Sequence, residues 1–91
     1  FMDEFRARLK ALSGINKNEN IEKVLMDLLD IALGSDPVTN DKTIDSESEL
    51  LSLLQGLDDA IKNGSEDEAR DIIEKTRNAL LERNVLCKAG K

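Results

Sequence analysis

The chain has 91 residues, of which 40% are hydrophobic and 35% charged, and its 19 acidic and 13 basic residues give a formal net charge of −6. This length fits one small domain, and the acidic excess argues against direct binding of nucleic acid, whose phosphates require a basic surface. The chain contains no histidine and a single cysteine, which excludes imidazole catalysis, histidine metal ligation and an intrachain disulfide.

The first two helices are predicted from apolar residues that recur every three or four positions. The first covers about residues 3–13, and Gly14 is expected to end it. The second covers about residues 20–33, with Asn18 or Asn20 as its N-terminal cap. The stripes expected to face the core are Met2, Phe5, Leu9 and Leu12 in the first helix, and Ile21, Val24, Leu25, Leu28, Ile31 and Ala32 in the second.

The last two helices are predicted over about residues 47–62 and about residues 66–84. Each follows a serine that has a glutamate three residues later, which is the capping-box pattern. These pairs are Ser46 with Glu49 and Ser65 with Glu68. Because only a short turn at Asn63-Gly64 separates the two helices, they are expected to form an antiparallel hairpin.

Two segments are predicted to lie outside helices. Residues 34–45 form a connection that is long for a compact bundle, and it is expected either to cross the end of the bundle, with Val38 and Ile44 tucked in, or to be mobile. Residues 85–91, which include Cys87, are expected to form a polar tail. The sequence thus predicts an all-α protein, a small four-helix bundle that forms a single domain over residues 1–91.

Several apolar residues miss the core stripes of their helices. Met26, Leu29 and Leu33 form a second stripe on the second helix, and Leu51 and Leu81 are displaced in the same way on the third and fourth helices. Either other parts of the chain bury them, or they form an exposed patch that binds another chain. In its sharpest form, the second explanation predicts a homodimer through the second helix. The candidate partner-binding residues are Met26, Leu29, Leu33, Leu51, Leu81 and, as an acidic rim, Glu66 and Asp67.

The charge is unevenly distributed along the chain. Residues 41–74 carry 11 acids and 3 bases, a net −8, whereas residues 75–91 carry 1 acid and 5 bases, a net +4. The acidic hairpin suggests an alternative function as an immunity, antitoxin or nucleic-acid-mimic inhibitor of a basic protein. The size and the four-helix pattern distantly resemble bacteriocin immunity proteins.

Two acidic motifs, Glu19-x-x-Glu22 and Glu68-x-x-Asp71, resemble those of all-α nucleotide pyrophosphohydrolases of the MazG type. The resemblance covers eight positions and implies a Mg²⁺-dependent enzyme. Glu68 and Asp71, however, fall about 100–160° away from the apolar stripe of their helix and should face solvent. Acids in a first helical turn also complement the helix dipole. We therefore expect no metal, no cofactor and no enzymatic activity.

The expected function is that of a non-enzymatic, acidic helical protein that binds a protein partner as a regulator, inhibitor or accessory factor of bacterial or phage type. No apolar run reaches the ~20 residues that a membrane span requires, and a lone cysteine is typical of a reducing compartment. We therefore expect a cytoplasmic protein without membrane association. Phe1 precedes Met2, where translation would naturally start, so we expect Phe1 not to belong to the natural chain.

Overall fold

The computed structural model describes residues 1–35 and 39–89, and over these residues it contains four helices and no strand. The helices are α1 (Met2–Ile15), α2 (Glu19–Leu33), α3 (Ile44–Asn63) and α4 (Glu66–Ala89). The predicted all-α four-helix bundle is confirmed, and it measures 40 × 19 × 17 Å. Its core is formed by Met2, Phe5, Leu9 and Leu12 of α1, Ile21, Leu25, Leu28, Leu29 and Ala32 of α2, Leu50, Leu54, Leu57 and Ala60 of α3, and Ala69, Ile73, Ala79 and Leu80 of α4.

The four helices stand at the corners of a square in an order that differs from their order in the chain. Both α1 and α4 pack against α2 and α3, so that α1 lies diagonally across from α4, and α2 from α3. Helices α2 and α4 run in parallel: Asn20 Nδ2 donates to Glu66 Oε1 at 3.2 Å at their starts, and Asn84 Nδ2 donates to Ser35 Oγ at 2.8 Å at their ends. The connection between α2 and α3 therefore joins diagonally opposite corners at one end of the bundle, which accounts for its length. We call its described residues, 34–35 and 39–43, the crossing.

A buried ion pair lies beneath this crossing. Arg83 of α4 is 0% exposed, and its Nε and Nη2 both lie 3.1 Å from Oε2 of Glu47, a residue of α3 that is 6% exposed. Thr39 of the connection donates its hydroxyl to Glu47 Oε1 at 3.1 Å. Buried charges require such pairing, since desolvation of each ion costs several kcal/mol. The crossing segment is thereby joined to both helices of the hairpin.

A second set of polar contacts closes the C-terminal end of α2. The last carbonyl groups of a helix lack partners within the helix, and α2 has no basic residue in its last turn. Arg6 of α1 supplies the donors, with Nε 2.9 Å from the carbonyl oxygen of Ala32 and Nη2 2.9 Å from that of Ser35. A cation at this position also complements the negative end of the α2 dipole. Helix α2 therefore meets the crossing in a fixed position.

Two predicted helix boundaries are confirmed. The side chain of Asn18 accepts hydrogen bonds from the backbone N–H groups of Asn20 at 2.9 Å and Ile21 at 3.2 Å, so it caps α2. Gly64 ends α3 with a φ of 71°, in the left-handed region that glycine adopts without a steric penalty. The α3–α4 hairpin turn thus depends on a glycine.

Two other boundary predictions are wrong, and so is the predicted burial of Ile44. Helix α1 continues through Gly14 to Ile15. Helix α3 begins at Ile44, so Ser46 lies inside the helix and does not cap it. Ile44 is also exposed rather than tucked into the bundle, while Val38 lies outside the described residues. The extra turn at the start of α3 places Glu47 inside the helix. Glu47 pairs with an arginine far away in the sequence, so the residues around it give no indication of this turn.

The predicted polar tail is also wrong, because α4 continues as a helix to Ala89. Leu80, Arg83 and Cys87 are each 0% exposed and follow one another at three- and four-residue steps. These residues continue the core-facing side of α4 toward its C-terminal end. Because one of them is an arginine, the apolar periodicity is interrupted, and the sequence does not show that the helix continues. Tertiary contacts with the crossing, among them Asn40 Nδ2 to the carbonyl oxygen of Cys87 at 3.4 Å, accompany this last part of α4.

Substitution of two glycines should separate their roles. We expect Gly64→Ala to lower the free energy of unfolding by about 1 kcal/mol, because alanine is strained in the left-handed region. Gly14→Ala should instead raise it by about 0.5 kcal/mol, since this glycine is helical and a Cβ would meet nothing within 4 Å. Urea unfolding of both variants measures the two effects. A change of the free energy of unfolding in the same direction for both variants would contradict the left-handed conformation of Gly64 or the helical conformation of Gly14.

Removal of one partner of the buried ion pair should lower the free energy of unfolding more than removal of both partners. We expect Arg83→Met to lower the free energy of unfolding by about 3 kcal/mol, because Glu47 would be left buried without its guanidinium partner. Arg83→Met/Glu47→Met should regain at least half of that loss. A double-mutant cycle by urea unfolding measures the coupling. Additive losses would show that the two groups do not depend on each other.

Candidate functional site

The acids of the pyrophosphohydrolase-like motifs do not converge. Glu22 accepts hydrogen bonds from Ser13 Oγ and, at 3.2 Å, from Asn16 Nδ2, and so it closes the α1–α2 turn. Glu68 is exposed on α4, and Asp71 forms an ion pair with Lys75 at 3.1 Å. Among the described residues, no three Cys, Asp or Glu side chains come close enough to hold a metal ion.

The two acids predicted to rim a binding patch have different environments. Glu66 is half-buried and bridges two helices: it accepts from Asn20 Nδ2 of α2 and lies 3.4 Å from Arg70 Nη2. Asp67 is exposed in the first turn of α4. Glu66 therefore helps to fix the parallel packing of α2 and α4, and only Asp67 presents its charge entirely to solvent.

The five apolar candidates differ in exposure. Met26 is 43% exposed, Leu33 51% and Leu81 42%, whereas Leu51 is half-buried. Leu29 is 7% exposed and belongs to the core, so the expectation that it lies on an exposed patch is wrong. Helical spacing places it on the side of α2 that α1 covers. The alternative explanation, burial of the extra apolar residues by another helix, holds for Leu29.

Met26 and Leu33 share one face of α2. They are seven residues apart, which is two helical turns or about 10.5 Å along the axis. Glu22, one turn before Met26, contacts α1, so the two exposed side chains lie toward α1 on the outside of the bundle. We call the exposed group formed by Met26, Asp27, Asp30 and Leu33 the α2 edge.

The other two apolar candidates lie elsewhere. Leu81 is one turn after Arg77, which lines a groove between α4 and α2. Leu51 is two turns before Asp58, which lines a different groove, between α3 and α1. Because α2 and α3 stand at opposite corners of the bundle, Leu51 cannot share a surface with Met26. The four apolar candidates outside the core, Met26, Leu33, Leu51 and Leu81, therefore belong to three separate surfaces.

Three exposed apolar residues were missed by the sequence analysis: Ile15, Ile44 and Val85. Val85 has the largest exposure, at 66%, and follows Leu81 by one turn on the outer face of α4. The Leu81-x-x-x-Val85 spacing was a usable signal, but it was lost because residues after 84 were predicted to be a tail. Helix α4 thus has its own apolar pair.

A cleft of about 550 Å³ lies at the opposite end of the bundle, between the α1–α2 turn and the hairpin turn. Ile15 and Ile61 line it, and Lys17 and Lys62 also contribute to its wall. Among the described residues, no buried side-chain nitrogen or oxygen lacks a hydrogen-bond partner, so no buried, unpaired side-chain atom marks the cleft as a binding site.

The charge on α2 is acidic along its whole length. It carries Glu19, Glu22, Asp27 and Asp30 against Lys23, so four acids and one base give a net −3. Asp27 and Asp30 are exposed beside the apolar side chains of the α2 edge. The edge therefore combines apolar contact area with negative charge.

None of the helices in the described part of the chain is long and apolar enough to span a membrane.

Comparison with known proteins gives no relative from which a function could be transferred. No protein-family model matches the chain, and neither a curated protein nor a solved structure shows significant similarity to it.

The burial of Cys87 leads to a simple chemical expectation. Its side chain is 0% exposed inside α4, so a thiol reagent can reach it only when this end of the bundle opens. We expect labelling by Ellman's reagent to be slow in buffer and fast in a urea concentration that unfolds the protein. Rapid labelling in buffer would show that the last turns of α4 do not pack as described.

Proposed function

We propose that this chain is a non-enzymatic binding protein that holds a basic protein partner on the α2 edge. The observation that supports this proposal best is the exposure of two large apolar side chains, Met26 and Leu33, on a helix whose solvent-facing charges are mainly acidic. Complete burial of a fully exposed side chain of this size contributes about 1.5–3 kcal/mol. Because Met26 and Leu33 are each about half exposed, burial of either on binding contributes roughly half of that. Burial of both residues would therefore contribute to the free energy of binding a partner.

The shape of the α2 edge suits a partner that contacts two adjacent turns of a helix. Met26 and Leu33 project from the same face, and the buried Leu29 between them forms an apolar base. Helix α2 is held at its start by the Asn18 cap and at its end by the guanidinium of Arg6. A surface that is already rigid loses little conformational entropy when it binds.

The charge of the α2 edge selects the class of partner. Asp27 and Asp30 lie beside the apolar side chains, and complementary charge mainly increases the association rate of a basic protein. If a second copy of the chain contacted this edge with its own α2, acids would face acids along the contact. Like charges in such positions are unfavourable. The α2 edge therefore favours a different, basic protein over a homodimer through α2.

Replacement of both apolar residues of the α2 edge should remove partner binding. We expect Met26→Lys/Leu33→Lys to weaken the affinity for the captured protein by at least about a hundredfold, because apolar contact is lost and the negative charge is reduced. Affinity capture from the native cell identifies the partner, and calorimetry with the purified partner measures the change in Kd.

A matched control exists in the same chain. Ile15→Lys/Ile44→Lys also replaces two exposed apolar residues, 47% and 51% exposed, and adds the same charge away from the α2 edge. This variant should bind like the wild type. Equal loss of binding in both double variants would refute the assignment of the α2 edge, and so would a partner whose binding is insensitive to both salt and the substitutions.

A further inference from the structure

We propose that a second copy of this chain binds the outer face of α4, and that the two copies form an antiparallel dimer with its two-fold axis at Leu81. The contact surface consists of Glu74, Leu81, Val85 and Lys88, which we call the α4 seam. This inference does not rest on the proposed function, because the α4 seam shares no residue with the α2 edge, although Glu74 of the seam and Asp27 of the edge line the same groove.

The α4 seam is straight and exposed. Glu74, Leu81 and Lys88 follow one another at seven-residue steps, which bring each of them back to nearly the same side of a helix. Val85 lies one turn beyond Leu81 and beside this line. All four side chains are exposed, and the two apolar ones lie at the centre and in the C-terminal half of the seam.

The order of charges along the seam is self-complementary. An acid and a base lie at equal distances, about 10.5 Å, on either side of Leu81. In an antiparallel pair centred on Leu81, Glu74 of each copy lies opposite Lys88 of the other, and the two leucines meet on the axis. A two-fold contact uses the same patch on both copies, so both ion pairs form together.

The wider charge of α4 supports the same arrangement. Residues 66–74 carry five acids and one base, a net −4, and residues 75–88 carry four bases and one acid, a net +3. Antiparallel pairing therefore brings the acidic part of one copy toward the basic part of the other. Within the described part of the chain, neither Glu74 nor Lys88 takes part in an ion pair. Both charges are thus available to the second copy.

The size of the seam sets the expected strength of the dimer. One helical face of about four turns buries less than the standard interface of about 1,600 Å². We therefore expect a dimer with a Kd of about 10–1,000 μM. Sedimentation equilibrium from about 10 μM to about 2 mM should show a mass that rises from 10.1 kDa toward twice that value.

Charge exchange tests the antiparallel register. Glu74→Lys alone and Lys88→Glu alone should each weaken the dimer by about tenfold or more, because each variant places like charges opposite one another twice. An equimolar mixture of the two variants should regain dimerisation, since all pairs across the contact are then of opposite sign. Glu74→Lys/Lys88→Glu in one chain should regain it as well.

Apolar substitutions distinguish this surface from the α2 edge. Leu81→Lys/Val85→Lys should remain at 10.1 kDa over the whole concentration range, whereas Met26→Lys/Leu33→Lys should dimerise like the wild type. Circular dichroism confirms that each variant is folded. The proposal is overturned if the wild type stays monomeric throughout, if the α2 substitutions abolish the dimer and the α4 ones do not, or if the mixed charge variants fail to associate.

Discussion

The buried ion pair between Arg83 and Glu47 is the interaction on which the arrangement of the bundle depends. Helices α2 and α3 occupy opposite corners, so the chain that connects them has to join two corners that do not touch each other. The ion pair gives the crossing segment a polar anchor through Thr39. A well-packed apolar pair could stabilise the bundle as much, but it would offer the crossing no directional contact.

Polar contacts around the same crossing hold the C-terminal ends of both α2 and α4. Arg83 lies in the last third of α4, and the turns that follow it remain helical to Ala89. The α4 seam needs these turns, since Val85 and Lys88 lie within them. At the other side of the crossing, Ser35 accepts from Asn84 and its carbonyl accepts from Arg6. The C-terminal end of α2, and with it Leu33, is therefore held by contacts that converge on the crossing.

The local features of the fold could be predicted from the sequence, and the long-range ones could not. The stripe of Leu50, Leu54 and Leu57, the Asn18 cap and the turn at Gly64 each follow from residues within one or two helical turns. Arg83 and Glu47 are 36 residues apart, and charged residues are ordinarily expected at the surface. Their burial, the extra turns of α3 and α4 and the burial of Leu29 all depend on which helices are neighbours, and periodicity does not reveal the order of helices around a core.

The two surfaces differ in the arrangement of their charges, and this difference is the reason why we propose different partners for them. Helix α2 is acidic from end to end, whereas the acids and bases of α4 are separated along its length. Met26 and Leu33 lie on the side of α2 away from α4, whereas Asp27 of the α2 edge lines a groove with Glu74 of the α4 seam. The proposed α4-mediated dimer would therefore leave Met26 and Leu33 accessible on both copies and could bind a partner bivalently.

The most direct test of this account is the solvent exchange of the Arg83 Nε–H proton, measured by NMR. If this group donates to Glu47 beneath the crossing, its proton should exchange with water far more slowly than the Nε–H protons of the exposed Arg70 and Arg77. Exchange of the Arg83 proton as fast as that of these two arginines would contradict the buried ion pair, and with it the proposed anchor of the connection between α2 and α3.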